Sequence, residues 1–173
     1  MTPASIAPPD APAGSPPSWR LMMSHPAHQL SLGFGSGLVP FAPGTWGTLA
    51  AWLLFVVIDP WLSDALWAGL IGITFFLGAA ASARTGRALG RPDHGAIVID
   101  EIVAFWLVLW LLPAGVFTQA VAFVGFRLFD ILKPPPIRNV DRRLKNGIGV
   151  MLDDLIAAFY TLLAAAVLMR LFA

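Results

Sequence analysis

The sequence predicts an all-α, polytopic membrane bundle of about four to five membrane helices, with a re-entrant or interfacial segment ahead of them. Three observations point there. The 173 residues are 57% hydrophobic and 12% charged, with a mean hydropathy of +0.74, whereas soluble domains carry roughly 25% charged residues. Apolar stretches of helical length recur between helix-breaking residues. Lys and Arg gather in one set of the connecting turns. Cysteine is absent, which excludes disulfides, thiolate metal sites and cysteine nucleophiles, and three histidines make a multi-histidine zinc site improbable. A net charge of +1 gives no reason to expect nucleic acid as a partner.

Residues 1–24 read as a Pro-rich cytosolic tail without order, because such composition buries too little apolar surface to pay for ordering. No basic stretch followed by an apolar core marks a signal peptide there. Residues 25–173 form the membrane-embedded domain. Within it, LSLGFGSGLVPFAPGTW (30–46) is apolar yet broken by four glycines and two prolines. Irregular backbone at membrane depth survives only where protein or water satisfies it, so this stretch reads as re-entrant or interfacial. Thr45 then reads as the cap of the first apolar helix.

Five apolar segments follow: 45–58, 65–83, 96–112, 116–132 and 151–171. A span needs about 20 residues, with about 17 the lower end, so the first is short. Arg20, Arg84, Arg87, Arg91, Lys133, Arg138, Arg142, Arg143 and Lys145 fall on one side and Arg170 on the other. The positive-inside rule puts the basic side in the cytoplasm. Pro134-Pro135-Pro136 ends the fourth segment. Ile137, Val140 and Leu144 then alternate with arginines at helical spacing, which reads as a short interfacial helix. Asn146-Gly147 turns the chain into the fifth segment. The seven tryptophans read as interface anchors or lipid-facing bulk, and His94 as a loop residue.

Three charge clusters interrupt this pattern: Asp100-Glu101, Arg127/Asp130/Lys133 and Asp153-Asp154. A charge near the bilayer centre costs about 2.5–3.5 kcal/mol on insertion scales, so such residues normally face protein and do chemistry. Helix-dipole electrostatics offers a plain alternative for the two acid pairs, each near the start of its apolar segment; Asp100-Glu101 would sit about one turn inside. Asp130 resists that explanation, since it lies at a helix C-terminus, where negative charge is unfavourable. Topology brings all three clusters to one face. Five carboxylates with interspersed cations suit a hard divalent cation and a phosphate.

Four stretches, VPFAPGTWGTLAA (39–51), DHGAIVIDEIVAFW (93–106), FRLFDILKPPPIRNVDRR (126–143) and GIGVMLDDLIAAFY (147–160), resemble the motifs of the phosphatidylglycerophosphatase A family, in the same order. Ala104 and Pro135 depart from the pattern, where glycine and a large aromatic are expected. The resemblance implies a Mg2+-dependent membrane phosphatase that converts the phospholipid phosphatidylglycerophosphate to phosphatidylglycerol, with its active site at the cytosolic face of a bacterial inner membrane. On that reading Asp130, Asp100, Glu101 and Lys133 are the candidate catalytic groups. Arg127, Lys133, Arg138 and Arg142 are the candidate phosphate ligands, and Asp100, Glu101, Asp153 and Asp154 the candidate Mg2+ ligands. Metal-activated water is the expected nucleophile. The competing class is a transporter or channel that uses the same acids for a cation. Its ionisable groups would be distributed through the membrane's depth, whereas these collect at one interface.

Overall fold

The computed structural model describes residues 17–135, 137–138, 144 and 146–172, and every regular element among the described residues is helical. Two short helices, α1 (Trp19–Ser24) and α2 (Pro26–Ser31), precede a 3₁₀ stretch at Gly33–Leu38. Then come α3 (Pro43–Ile58), a 3₁₀ turn at Asp59–Trp61, α4 (Asp64–Ala88), α5 (Ile99–Leu111), α6 (Val116–Leu132) and α7 (Gly147–Phe172).

The middle of the bundle is α5, which reads IDEIVAFWLVLWL. A helix that is apolar on all sides is normally buried, and α5 packs against α3, α4, α6 and α7. Val103, Ala104 and Phe105 are fully buried in it. The outward faces are apolar as well. Leu53 and Val57 on α3, Phe76 on α4, Val124 and Ile131 on α6, and Phe159 on α7 all stand exposed. Contiguous exposed apolar surface of this kind marks a membrane or a partner. Two helices, α4 and α7, are long and apolar enough to cross a bilayer, at 25 and 26 residues, about 37–39 Å at 1.5 Å per residue. The pattern is consistent with a membrane protein. At 16, 13 and 17 residues, α3, α5 and α6 are shorter.

Several expectations are revised. Thr45 does not cap α3: Pro43 opens the helix, its fixed φ suiting the first turn, and the cap position falls to Ala42 with φ +46° and no side-chain cap bond. The α5 helix starts at Ile99 rather than Ala96, because Val98 donates its N–H to Ser31 O at 2.9 Å instead of entering a helix. Helix α1 falls inside the tail expected to lack order, held by Leu21 against Ala88 and Leu89 and by Met22 against Leu32 and Ala96. Residues 1–16 lie outside the described residues, as does most of the expected interfacial helix; within it, Ile137 is buried and Arg138 exposed.

The tryptophans also differ from expectation. Trp67 and Trp106 are buried, packed edge to face at 6.0 Å. Buried indole N–H groups need partners. Trp67 donates to Asp59 Oδ1 at 3.0 Å and Trp106 to Ala51 O at 3.0 Å. Trp110 donates to Asp64 Oδ1 at 3.1 Å. The two acids at the far end of the bundle are thereby explained as indole acceptors.

Candidate active site

Asp100, Glu101, Asp130, Asp153 and Asp154 collect at the opposite end, where α3, α5 and α7 begin and α6 ends. Asp100 and Glu101 occupy the first turn of α5, so they sit at the helix start rather than a turn inside it. Even so, Asp100 is only 7% exposed. Asp153 and Asp154 lie two turns into α7, whose first turn is fixed by Asn146 Oδ1 accepting the Gly149 N–H at 2.8 Å. The macrodipole acts within the first turn, so it does not account for that pair. Both are buried, at 4% and 3% exposure.

Asp130, in the last turn of α6, is held by Arg127 one turn earlier, with Nη1 donating to Oδ2 at 2.5 Å. The same Nη1 lies 3.5 Å from Glu101 Oε1, which ties α6 to α5. Lys133 caps α6 in the left-handed region at φ +43°. Non-glycine residues hold that conformation at a cost of about 1–3 kcal/mol. The following prolines disfavour further helix, and Lys133 Nζ meets Asp153 Oδ2 at 2.5 Å. The strained cap therefore carries the lysine across to α7.

Ligand oxygens of Asp100, Glu101 and Asp154 all lie within 4.8 Å of one another. Asp100 Oδ1, Glu101 Oε2 and Asp154 Oδ2 are buried and receive no hydrogen bond. Buried carboxylate oxygens without donors are costly unless a cation satisfies them. A compact set of carboxylate oxygens is the donor chemistry that would suit a hard divalent cation such as Mg2+. Asp130 and Asp153 add their charges to Asp154. Five carboxyls thus gather beside Arg127 and Lys133, a concentration of acid groups that a divalent cation would offset. Asp153 is directed to Lys133 rather than into the oxygen triad. Arg138 stands exposed beyond the proline turn, and Arg142 lies outside the described residues.

One contributor carries no charge. A Cβ at Gly44, in the first turn of α3, would overlap Glu101 Oε1 and come within 3.0 Å of both Arg127 Nη1 and Nη2. The α3 terminus thus abuts the ion pair, with its positive dipole end toward the acids. Sequence reading assigned Gly44 no place in the site. The signal available was Pro-Gly-Thr at a helix start within an otherwise apolar run.

A second polar group supports the site from behind. His28, Ser31 and Thr85 are fully buried between α2 and α4. His28 Nδ1 lies 2.8 Å from Thr85 Oγ1, and Ser31 Oγ lies 2.5 Å from the same hydroxyl. Because Ser31 O accepts the Val98 N–H, this network fixes the N-cap residue of α5, two positions ahead of Asp100.

Residues 29–169 match the family profile described as Phosphatidylglycerophosphatase A. A Haemophilus influenzae protein named Phosphatidylglycerophosphatase A is 41% identical over 148 residues, covering 85% of this chain and 91% of that protein. The Escherichia coli protein of the same name is 42% identical over 142 residues, covering 80% of each. A Bacteroides thetaiotaomicron protein with the provisional name phosphatidylinositol-3-phosphatase is 36% identical over 146 residues, covering 80% of this chain and 90% of its own length. No solved structure matches the chain.

Proposed function

The chain belongs to the phosphatidylglycerophosphatase A family, and from that premise we propose that it hydrolyses the terminal phosphomonoester of phosphatidylglycerophosphate. The products are phosphatidylglycerol and phosphate, the cofactor is Mg2+, and the reaction takes place at the cytosolic face of a bacterial inner membrane. The observation that carries the reading is the buried oxygen triad of Asp100, Glu101 and Asp154 beside two cation–carboxylate pairs.

A phosphomonoester dianion brought to this cluster alone would meet excess negative charge. Asp100, Glu101 and Asp154 would hold Mg2+, which when bound supplies positive charge to the phosphate and lowers the pKa of a water. Lys133 Nζ, whose side chain is 27% exposed, would take a phosphate oxygen as the lipid headgroup approaches. Arg127 orients Asp130 and offers its other N–H groups to the phosphate, with Arg138 and Arg142 proposed as further phosphate ligands. Asp130 accepts a proton from the attacking water as the new O–P bond forms and the P–O bond to glycerol breaks. It then returns that proton to the leaving alkoxide.

We place five helices across the membrane, α3 to α7, with the acid-bearing end in the cytoplasm. The exposed apolar faces of α3 and α6 and the one-sided arginines support this. A reporter fused after Ala173 should then read as periplasmic, and a cytoplasmic signal would remove one span. Transport is not favoured, because the ionisable cluster lies at one end and the far-end acids are committed to indoles.

The direct test is phosphate release by purified protein in detergent, with Mg2+ or with chelator. Release from phosphatidylglycerophosphate is expected only with Mg2+, and faster than from phosphatidylinositol 3-phosphate. Asp154→Asn should raise the Mg2+ concentration for half-maximal rate at least about tenfold. Folded protein that releases no phosphate under any metal condition would refute the assignment, and a preference for the inositol lipid would move the substrate.

A further inference from the structure

An apolar cavity of about 480 Å³ lies between α6 and α7 and is used by none of the chemistry above. Val121, Gly125 and Phe129 line it from α6, and Thr161, Ala165 and Leu168 from α7. Small side chains hollow it: Gly125 faces Thr161, and a Cβ there would still be 3.6 Å from Thr161 Cγ2. Its wall offers little to a polar ligand, since Thr161 Oγ1 already donates to Ala157 O at 2.9 Å. Thr118 is the other hydroxyl in the lining, and the rest of the wall is apolar, which suits a hydrocarbon chain.

Its position says which hydrocarbon. At one end stands Phe129, next in sequence to Asp130 and stacked on Tyr160 at 5.6 Å. Tyr160 in turn donates to Pro135 O at 3.0 Å, beside the Lys133 turn. From there the cavity follows α6 back to Phe117, twelve residues or about 18 Å of helix. That is somewhat more than the roughly 15 Å of one leaflet of a roughly 30 Å hydrocarbon core, a length that an extended acyl chain can follow. We propose that this groove binds an acyl chain of the phospholipid whose phosphate reaches Asp130 and Lys133, and so sets chain-length preference. The inference rests on the lipid-phosphatase reading for its substrate, though not for its geometry.

Ala165→Leu plugs the groove, while Ala166→Leu adds the same bulk at the neighbouring exposed position, outside the lining. With a long-chain (dioleoyl) phosphatidylglycerophosphate, Ala165→Leu should lower kcat/KM at least tenfold. With the dihexanoyl lipid it should stay within twofold of wild type. Ala166→Leu should stay within twofold on both. Equal loss on both lipids, or none on the long one, would overturn the proposal. A second measurement needs no turnover: phosphatidylglycerol with a diazirine in its acyl chain, crosslinked in nanodiscs. Adducts should concentrate on 116–132 and 147–172 and fall with Ala165→Leu. Labelling spread evenly over α3 and α4 would overturn it, as would an inter-copy disulfide formed by Ala165→Cys in this cysteine-free chain. If wild type hydrolyses neither lipid, the phosphatase reading fails and the crosslinks alone decide the groove.

Discussion

Asp130→Asn is expected to lower turnover of phosphatidylglycerophosphate at least about 10²-fold, the scale of losing a positioned acid–base group, without destabilising the protein. Asn keeps the shape of the side chain and removes its charge. That charge lies in the last turn of α6, where the helix dipole already opposes it. Arg127 retains Glu101 at 3.5 Å, so the buried guanidinium is not abandoned. A thermal unfolding midpoint in detergent equal to or above wild type, together with the loss of phosphate release, would mark a residue retained at some cost to stability for the sake of activity. A fall in turnover of less than about tenfold would make Asp130 a structural ion-pair partner instead.

The second large effect comes from a residue with no side chain. Gly44→Ala should lower turnover about 10²-fold, because the new methyl overlaps Glu101 Oε1 and crowds both Arg127 Nη atoms. Either α3 withdraws or the Glu101–Arg127 pair moves, and a displacement near 1 Å at a reacting site costs about that much. Gly69→Ala is the control: nothing lies within 4 Å of a Cβ there, and alanine favours the helix by about 1 kcal/mol. Activity of Gly44→Ala equal to that of the control would show that the α3 terminus does not set the site's geometry.

These two residues show where the sequence was legible. The helical segments could be read because Asp59-Pro60, Pro113 and the proline run at 134 punctuate them. The acids could be gathered to one end because their helices alternate in direction. Asp130 stood out because its charge opposes its helix position. Gly44 carried no such mark, since it bears no charge and its closeness to Glu101 exists only in three dimensions. The start of α5 is hidden for a related reason: Ala96 to Val98 are apolar whether helical or not, and a single hydrogen bond to Ser31 O decides the matter. Hydropathy also has no direction, so Trp67 at the core and Trp61 at the surface read alike.

The distribution of the site along the chain has a consequence for biogenesis. Gly44, the α5 acids, Arg127 and Asp130 all precede Asp153 and Asp154, which arrive with α7. Until α7 inserts, the oxygen triad lacks Asp154 and Lys133 lacks its bond to Asp153. On the proposed reading, a chain in which α7 has not yet docked would hold an incomplete centre, and docking of α7 would complete it.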